Sequence, residues 1–518
     1  MKKHYIGITI GPIFDTVREA STPAALWFAS RMFSEVTKLL CDKILKLDGY
    51  SNIEIHSPYY SEEIRTDDGV GKFHDRVIVS VESASEEQTC ESLMDDVNAV
   101  IAQVKEEISN VFPQKIMNED RKQFFSQYLQ IHAIVLDECE VGNENCVLVL
   151  SQHLDCLELM KTFPADNYQN PIRQTFMGEK GNRNVYIKES PLFQNIKKEE
   201  NQFKSPDGSI WSIEEIASCH GKTDLDNKVS KYYTVIHADG DGMGTFLSGL
   251  GNDKITEFSR ACLKYAEAAA KRIAAFGGMT IYAGGDDLLF LAPVVNESGV
   301  TIFELCNEIR KLFIEILQQE SCLAGAAKLP TISFGIAIRY KKFPLYEALD
   351  VSRTLLYTAK GLGGEKNRMA IDVQKHSGQS VAVAVSNESC EQMIQLFKIG
   401  QKLQNTANME GVAKSLLTSL HTYRPIMQKL SKNVKNGQIQ MSQFLNVWMN
   451  FFDSPDQKRY QTYFEEMGQA FYECFLNENS EKHIDALIWD VQNEDPELIS
   501  FEALLRIKKF LNEKGEEV

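Results

Sequence analysis

Three aspartates directly follow short apolar runs at two places in the chain, and their chemistry suits divalent cations. Asp239 ends the apolar run that starts at Tyr233, and Asp286 and Asp287 follow Gly284-Gly285 between two further apolar runs. Carboxylate oxygens are the ligands that Mg²⁺ prefers, and two such ions can stabilise both the attacking and the leaving oxygen of a displacement at phosphorus. The three residues therefore predict a two-metal centre for phosphate chemistry.

Each half of this pattern also has an ordinary structural interpretation. Gly-Gly-Asp is a common turn sequence, and Asp239–Gly242 is a common loop sequence in which Asp241 is a turn carboxylate. The same loop could begin a calcium site, but the twelfth position is Leu250 where a bidentate Glu is needed. The calcium interpretation fails, and the metal interpretation depends on both motifs acting together.

The surrounding pattern supplies elements that bring the two motifs together. Both glycines tolerate positive φ, so the apolar runs around Gly284-Gly285 predict a hairpin joined at those residues. The order of elements predicts a ferredoxin-like βαββαβ arrangement, with a strand over 232–239, a helix over about 256–276, the hairpin over 279–294, a helix over 300–319, a strand over 331–340 and a helix over 345–360. In such a fold the end of the first strand and the central hairpin are neighbours.

These motifs resemble the catalytic palm of the large subunit of type III CRISPR effector complexes, with the Cmr (III-B) branch the closer match. Diguanylate cyclases, with their GGDEF domains, and class III adenylyl cyclases are more distant resemblances. The matching segments are Ala238–Gly244, Gly284–Asp287, Ser333–Ile338, Ala359-Lys360 and Gly364–Arg368. Near the start of the chain, Ile10–Ile13 followed by Leu26-Trp27 resembles the first palm-like domain of the same family.

The resemblance implies a site for ATP and metals. Asp239 and at least one of Asp286 and Asp287 would hold two Mg²⁺ ions, with Mn²⁺ an acceptable substitute. The remaining residues that the resemblance implies in nucleotide binding are Gly284, Gly285, Ser333, Lys360, Lys366 and Arg368. For each basic residue a solvated position at a helix end is an equally good interpretation.

It also implies the product and the partners. The enzyme would be an ATP-dependent nucleotidyltransferase that makes an adenylate second messenger for antiviral signalling when the complex binds target RNA. The product would be a cyclic oligoadenylate, or AMP joined to another acceptor such as S-adenosylmethionine as co-substrate. The implied partners are the other effector subunits, with the crRNA and target RNA bound mostly through the complex.

Composition sets limits on these expectations. The 518 residues predict roughly three or four domains. A net charge of −17 argues against a protein that grips nucleic acid unaided. Eleven cysteines without a CxxC motif predict reduced thiols. The apolar run at the N-terminus is too interrupted for a signal peptide, and no long apolar segment predicts a membrane helix, so a cytoplasmic protein without membrane contact is expected.

We predict an α+β protein of four parts. Residues 1–150 form a first palm-like ferredoxin domain without a metal motif, and 151–228 form a helical insert and connector. Residues 229–386 form the catalytic palm, and 387–518 form a C-terminal helical bundle. The first palm would complete the nucleotide pocket without holding metals.

Two features common in the family are not expected here. The chain starts with the palm-like strand, and its single His-Asp pair is His74-Asp75, so no N-terminal histidine–aspartate (HD) domain and no nuclease activity are predicted. Cys139, Cys146, Cys156 and Cys219-His220 lack paired spacing, so a structural zinc is not predicted.

Three other functions share parts of this pattern. A stand-alone nucleotide cyclase would have the same metal residues, but it usually works as a dimer of palms. A non-catalytic scaffold of the ribonucleoprotein would have the fold without the acidic residues, all of which are present here. A template-directed polymerase needs a basic cleft, against which the acidic composition counts mildly.

Overall fold

Two β-sheets, one in each half of the chain, organise the fold. The computed structural model describes residues 2–61, 64, 68–84, 88–160, 169–196, 203, 208, 210–221, 228–320, 329–362, 366–400, 409–452, 457–476, 484–487 and 495–512. No helix within these ranges has the length and apolarity needed to cross a bilayer.

The first sheet is antiparallel and has the strand order β2-β3-β1-β4. This is the ferredoxin-like order that the sequence predicted for the first half. Its elements are β1 (Lys3–Gly11), α1 (Ile13–Arg18), α2 (Pro23–Ile44), β2 (Tyr50–Ser57), β3 (Arg76–Ser83), α3 (Cys90–Glu107), α4 (Glu119–Tyr128), β4 (Gln130–Asp137), α5 (Glu138–Val141) and α6 (Cys146–Glu158).

Helix α2 shows how the sequence forms the core of this half. The Thr22 hydroxyl caps the helix by accepting the Ala25 N–H at 3.1 Å, and Pro23 occupies the first turn, where it loses no helical hydrogen bond. Trp27 is fully buried and its indole N–H donates to the Gly69 carbonyl at 2.7 Å. Trp27 therefore belongs to the core of this half.

Strand β2 is an element of this half that the apolar pattern of the sequence does not reveal. The segment is polar, its pairing with β3 has irregular register, and Asn52 has a φ of 47°. Such an edge strand carries no clean alternation of apolar and polar residues, and so its pattern is weak.

The second sheet has seven strands in the order β11-β10-β9-β8-β5-β7-β6. Four of them, β8-β5-β7-β6, repeat the ferredoxin-like order of the first sheet, as predicted. The elements of this region are β5 (Tyr232–Asp241), α11 (Met243–Ser248), α12 (Asn252–Phe276), β6 (Met279–Gly284), β7 (Asp287–Pro293), α13 (Ile302–Gln319), β8 (Thr331–Tyr340), α14 (Leu345–Gly361), β9 (Arg368–Gln374) and β10 (Ser380–Ser386).

The remaining elements lie between the two halves in sequence and at the C-terminus. They are α7 (Pro171–Met177), α8 (Val185–Glu189), α9 (Pro191–Gln194) and α10 (Ile213–Ala217), then α15 (Cys390–Lys398), α16 (Met409–Thr422), α17 (Arg424–Lys435), α18 (Met441–Met449), α19 (Gln461–Phe471), β11 (Ile484–Ala486) and α20 (Pro496–Leu511). The predicted α+β class is confirmed.

The C-terminal part is not entirely helical, which the sequence analysis did not anticipate. Strand β11 pairs antiparallel with β10 through Val385 and Ile484, and β10 itself was not predicted. β11 has only three residues, too few for a periodic signal, whereas β10 reads Ser-Val-Ala-Val-Ala-Val-Ser, an alternation that was overlooked.

The two halves pack directly on each other. The Ser30 hydroxyl on α2 donates to the Ile281 carbonyl on β6 at 2.8 Å, and the Ala283 N–H donates to the Gly71 carbonyl at 2.9 Å. Lys72 of the same connection pairs with Glu267 at 3.0 Å. The β2–β3 connection of the first half therefore covers the edge strand β6 of the second.

Candidate active site

The hairpin between β6 and β7 presents the two adjacent aspartates. Gly284 pairs with Asp287, so the two central residues of the turn are Gly285 and Asp286. Gly285 has a φ of 69°, a conformation that glycine adopts at little cost and other residues avoid. The predicted hairpin is confirmed, but its turn lies one residue later than the Gly284-Gly285 junction that the sequence indicated.

The end of β5 lies beside this turn. β5 runs between β8 and β7, and Ala238 pairs with Leu288, which places Asp239 next to the hairpin. A Cβ at Gly240 would lie 2.4 Å from Asp286 Oδ2, so only glycine allows the carboxylate to approach the strand this closely. The Gly240 N–H also donates to the Asp286 carboxylate.

The proximity of these carboxylates changes their protonation. Burial raises the pKa of Asp286 to about 6, and the negative charge of Asp239 contributes in the same direction. The pKa of Asp287 is raised well above its ordinary value by loss of water around it and by the charges of Asp239 and Asp286. A cation bound nearby would offset the repulsion between these carboxylates and stabilise their ionised forms.

Lys360, near the C-terminal end of α14, is the cation that the structure places beside Asp239. Its ammonium donates to Asp239 Oδ2 and to the Gly240 carbonyl at 2.8 Å, and lies 3.8 Å from Asp241 Oδ1. Of the basic residues that the sequence analysis named, Lys360 is the one that contacts the aspartates within the described part of the chain.

Asp241 belongs to a buried network behind the strand end. Its Oδ2 accepts hydrogen bonds from the Thr331 hydroxyl at 3.0 Å, the Ser333 hydroxyl at 2.8 Å and the Asn367 N–H at 2.9 Å. Only 4% of Asp241 is exposed. The carboxylate thus ties the end of β5 to β8 and to the residue before β9, so Asp241 has a structural role within a strand and not in a turn.

The other predicted residues, Ser333, Arg368 and Lys366, lie in different environments. Ser333 is fully buried, and its hydroxyl also accepts the Arg368 N–H at 3.3 Å, so it faces the Asp241 network and not the solvent. The Arg368 guanidinium is buried and pairs with Asp485 on β11 at 2.9 Å. Lys366 is exposed. Gly364 and Glu365 lie outside the described residues.

The donor set at the strand ends fits hard divalent cations. It consists of carboxylate oxygens, two of the groups have raised pKa values, and the missing Cβ of Gly240 leaves room for Asp286. The Asp287 carboxyl makes a hydrogen bond with Asp239, and Lys360 forms an ion pair with the same Asp239 carboxylate. Cation binding would require Asp239 to leave this ion pair.

A cavity of about 530 Å³ opens between the two halves beside these aspartates. Its walls contain Asp239 and Asp287 from the second half and the His74-Asp75 pair from the first, to which the sequence analysis gave no role. Residues that sequence reasoning missed are Phe14, His237, Asp350, Arg353 and Tyr357.

Arg353 joins the two sides of this cavity. Its guanidinium lies 3.8 Å from the centre of the Phe14 ring, and it donates to the Tyr357 hydroxyl at 3.2 Å. Arg353 and Tyr357 are four residues apart, so the sequence could have placed both on one face of a helix. Their partner Phe14 is distant in sequence, and only the docking of the two halves brings it near.

Comparison with known proteins agrees with this architecture. Residues 232–370 match the family described as Cas10/Cmr2, second palm domain. The CRISPR system Cmr subunit Cmr2 of Pyrococcus furiosus is 32% identical over a match that covers 29% of this chain and 19% of that protein. The match therefore spans about a fifth of the curated relative.

Two solved structures share the fold over almost the whole chain. A Csm1–Csm4 cassette in complex with cA4 gives a TM-score of 0.54 at 14% identity, covering 99% of this chain and 70% of that one. A type III-B Cmr-beta complex in the apo state gives a TM-score of 0.50 at 11% identity, covering 99% and 82%. Residues 232–370 of this chain therefore match the second palm domain of the Cas10/Cmr2 family, and the overall fold is similar to that of these two type III CRISPR structures.

Proposed function

We propose that this chain is a metal-dependent nucleotidyltransferase that uses ATP to make an adenylate second messenger. The observation that carries the proposal is the convergence of Asp239 with the Asp286-Asp287 turn at the mouth of the cavity between the two palms. Acidic residues on rigid strand ends are positioned far more precisely than residues on free loops. Transfer of a nucleotidyl group requires such precise positioning.

Asp239, Asp286 and Asp287 would hold two Mg²⁺ or Mn²⁺ ions. Such ions lower the pKa of an attacking hydroxyl and neutralise charge on the phosphate and its leaving group. Lys360 would then exchange Asp239 for a phosphate oxygen, because its ammonium already lies at the strand end and carries a flexible stem. Lys366, exposed near the same end of α14, is a second candidate for phosphate contact.

The cavity would hold the nucleotide and its acceptor between the palms. The first palm contributes no metal carboxylates in this proposal, and instead supplies the opposite wall through Phe14 and the His74-Asp75 segment. Phe14 and Tyr357, both exposed, offer flat apolar surfaces on either side of Arg353 for stacking of a purine.

The acceptor is either a second ATP, which leads to a cyclic oligoadenylate, or another metabolite such as S-adenosylmethionine. The first-palm wall carries Asp15, Asp75 and Glu158 together with Arg18. Arg76 pairs with Glu158 at 2.7 Å and burial raises the pKa of Asp75, so the charge of this wall suits either acceptor. The similar Csm1–Csm4 cassette was solved in complex with cA4.

Activity would depend on partner subunits, crRNA and target RNA. The net charge of −17 leaves little basic surface for a long RNA, so most RNA contacts would be made by the other subunits of the complex.

The test is product analysis by mass spectrometry on the assembled complex. The chain with its partner subunits, guide and target RNA receives ATP and Mg²⁺, with and without S-adenosylmethionine. We expect a product that forms only with target RNA, and its mass identifies the acceptor. The Asp286→Ala/Asp287→Ala variant should make none.

A matched control removes an equal charge elsewhere. Asp95 and Asp96 are also adjacent and exposed, on α3 of the first palm, so Asp95→Ala/Asp96→Ala should leave the product unchanged. Absence of product from every nucleoside triphosphate in a correctly assembled complex would contradict the proposal and favour a non-catalytic scaffold. A product made by the chain alone would favour a stand-alone cyclase.

A further inference from the structure

A second cluster of potential metal ligands lies in the first palm, at the end of its sheet opposite to the cavity. His4 is at the start of β1 and pairs with Asp137 at the end of β4. Cys90 is the first residue of α3, which begins beside them. Among the described residues, these three form the one group of His, Cys, Asp and Glu side chains whose ligand atoms all lie within 4.8 Å of one another.

The three ligand atoms are arranged so that they would all lie on one side of a bound ion. His4 Nδ1 lies 2.8 Å from Asp137 Oδ1, and Cys90 Sγ lies 3.0 Å from the same oxygen and 3.4 Å from Nδ1. Ligand atoms around a tetrahedral zinc ion lie about 3–4 Å apart, given bond lengths of about 2.0–2.3 Å. A small outward movement of Asp137 would open the triangle to that size.

The surroundings fix the orientation of each ligand. The His4 ring is fully buried and its Nε2 makes no hydrogen bond to the described residues, so its polar contacts are all made at Nδ1, inside the cluster. Lys2 donates to Asp137 Oδ2 at 2.7 Å, and the Asp137 N–H donates to Glu140 at 2.8 Å. Outer contacts of this kind hold ligands in place for a metal.

We propose that His4 Nδ1, Cys90 Sγ and Asp137 Oδ1 bind one Zn²⁺ ion, with water as the fourth ligand. A thiolate, an imidazole and a carboxylate together suit zinc and disfavour Mg²⁺. The ion would join β1, α3 and β4 and so brace the first palm. This site is independent of the catalytic proposal, because none of its ligands lines the cavity.

Charge and proton balance are consistent with this assignment. Without metal the Cys90 thiol donates to Asp137, and burial together with that carboxylate raises the pKa of Cys90 to about 12. Zinc binding replaces the thiol proton, which passes to solvent, and gives an S–Zn bond. The thiolate and the carboxylate then neutralise the two charges of the ion, which reduces the cost of holding it in a partly buried place.

Sequence reasoning missed this cluster because it searched for cysteines with paired spacing. The three ligands come from three separate elements, and sheet pairing brings them together. None of the cysteines considered earlier, Cys139, Cys146, Cys156 or Cys219, belongs to it.

The first experiment measures zinc retained by the full chain. Protein stripped with chelator under reducing conditions is given ZnCl₂, passed through gel filtration and analysed for metal by mass spectrometry. We expect about one equivalent in the wild type and in the Asp286→Ala/Asp287→Ala variant. Cys90→Ser and His4→Ala should bind at least 10-fold more weakly, whereas Cys156→Ser, which removes an exposed thiol, should retain the ion.

A second measurement needs no variant and so does not depend on how a variant folds. Zinc should protect Cys90 of the wild type from alkylation, read out on the Cys90 peptide, and Co²⁺ should give a thiolate-to-cobalt charge-transfer band that zinc abolishes. Equal alkylation of Cys90 with and without zinc, or zinc retention by Cys90→Ser equal to that of the wild type, would overturn the proposal and leave a hydrogen-bonded triad.

Discussion

The two palms have the same strand order, but they differ where the second and third strands of each meet. In the second palm, Gly284 pairs directly with Asp287 across a two-residue turn. In the first palm the corresponding strands are joined by a long connection between Ser57 and Arg76, which contains His74-Asp75. Asp75 precedes β3 as Asp286 precedes β7, so a carboxylate stands at the matching place in both.

The environment of these two carboxylates differs because of the connection. The tight turn holds Asp286 against Gly240 and next to Asp239, so that charges accumulate. The long connection instead runs over β6 of the other palm, and Asp75 faces the cavity with Arg76 and Glu158 nearby. One fold thus yields a cluster of acidic groups in one copy and a pocket wall in the other, through loop length alone.

The largest difference is expected between the two matching carboxylates. Asp286→Ala should lower kcat for the proposed product by about 10³-fold, since it removes a group that would stabilise charge in the transition state. Asp75→Ala should lower kcat by less than about 10-fold and act mainly on KM for the acceptor. Steady-state kinetics of product formation measure both. Equal losses of kcat would show that the first palm takes part in the chemistry.

The strand ends allow a similar comparison with glycines. Gly240→Ala places a Cβ 2.4 Å from Asp286 Oδ2, and the displacement of that carboxylate should reduce kcat by about 10²-fold. The end of β1 has Gly11, where a Cβ would lie 3.9 Å from its nearest neighbour, so Gly11→Ala should change kcat by less than about 2-fold. A fully active Gly240→Ala variant would contradict the close packing of Asp286.

Within the second palm, substitutions of Asp239 and Asp241 should have opposite consequences for activity and for stability. Asp241 is buried and accepts three hydrogen bonds, so Asp241→Ala leaves several donors unpaired and should cost about 2–4 kcal/mol of unfolding free energy. Asp239→Ala should abolish activity with little loss of stability, because the group it releases, Lys360, can reach solvent. Thermal denaturation and product assays together distinguish these outcomes.

The smallest expected effect is a dependence of stability on pH. Because the pKa of Asp286 is raised to about 6 in the folded protein, the folded state binds its proton more tightly than the unfolded state does. In the absence of divalent cations, stability should therefore fall as the pH rises from about 4 to about 6. Asp286→Asn should reduce this slope, leaving the part that Asp287 contributes, and should be more stable than the wild type at pH 7 by on the order of 1–2 kcal/mol.

Chelator-treated protein titrated with denaturant at several pH values provides the measurement. Mg²⁺ should stabilise the wild type more than Asp286→Asn at pH 7, because the ion relieves repulsion that the variant lacks. The same slope in Asp286→Asn as in the wild type would mean that other groups control it.

Local pattern was enough to predict the strands and the turn that carry Asp239, Asp286 and Asp287. The apolar runs before Asp239 and around Gly284-Gly285 specify strands and a turn by themselves, and the helices between them carry regular apolar faces. The same reasoning failed at β2, which is polar and irregularly paired, and at β11, which has three residues, and it overlooked the alternation of β10. The family resemblance implied nucleotide contact for Ser333 and Arg368, and in the structure both side chains are buried.

What the sequence by itself determined is the order of elements and the acidic residues at their ends, because turn chemistry and periodicity act between near neighbours. The tertiary structure alone decided which distant groups meet. Lys360 on Asp239, Phe14 against Arg353, and His4 with Cys90 and Asp137 all depend on strand pairing and on the docking of the palms. Such contacts leave no periodic signal, since the residues that form them are joined by packing and not by spacing along the chain.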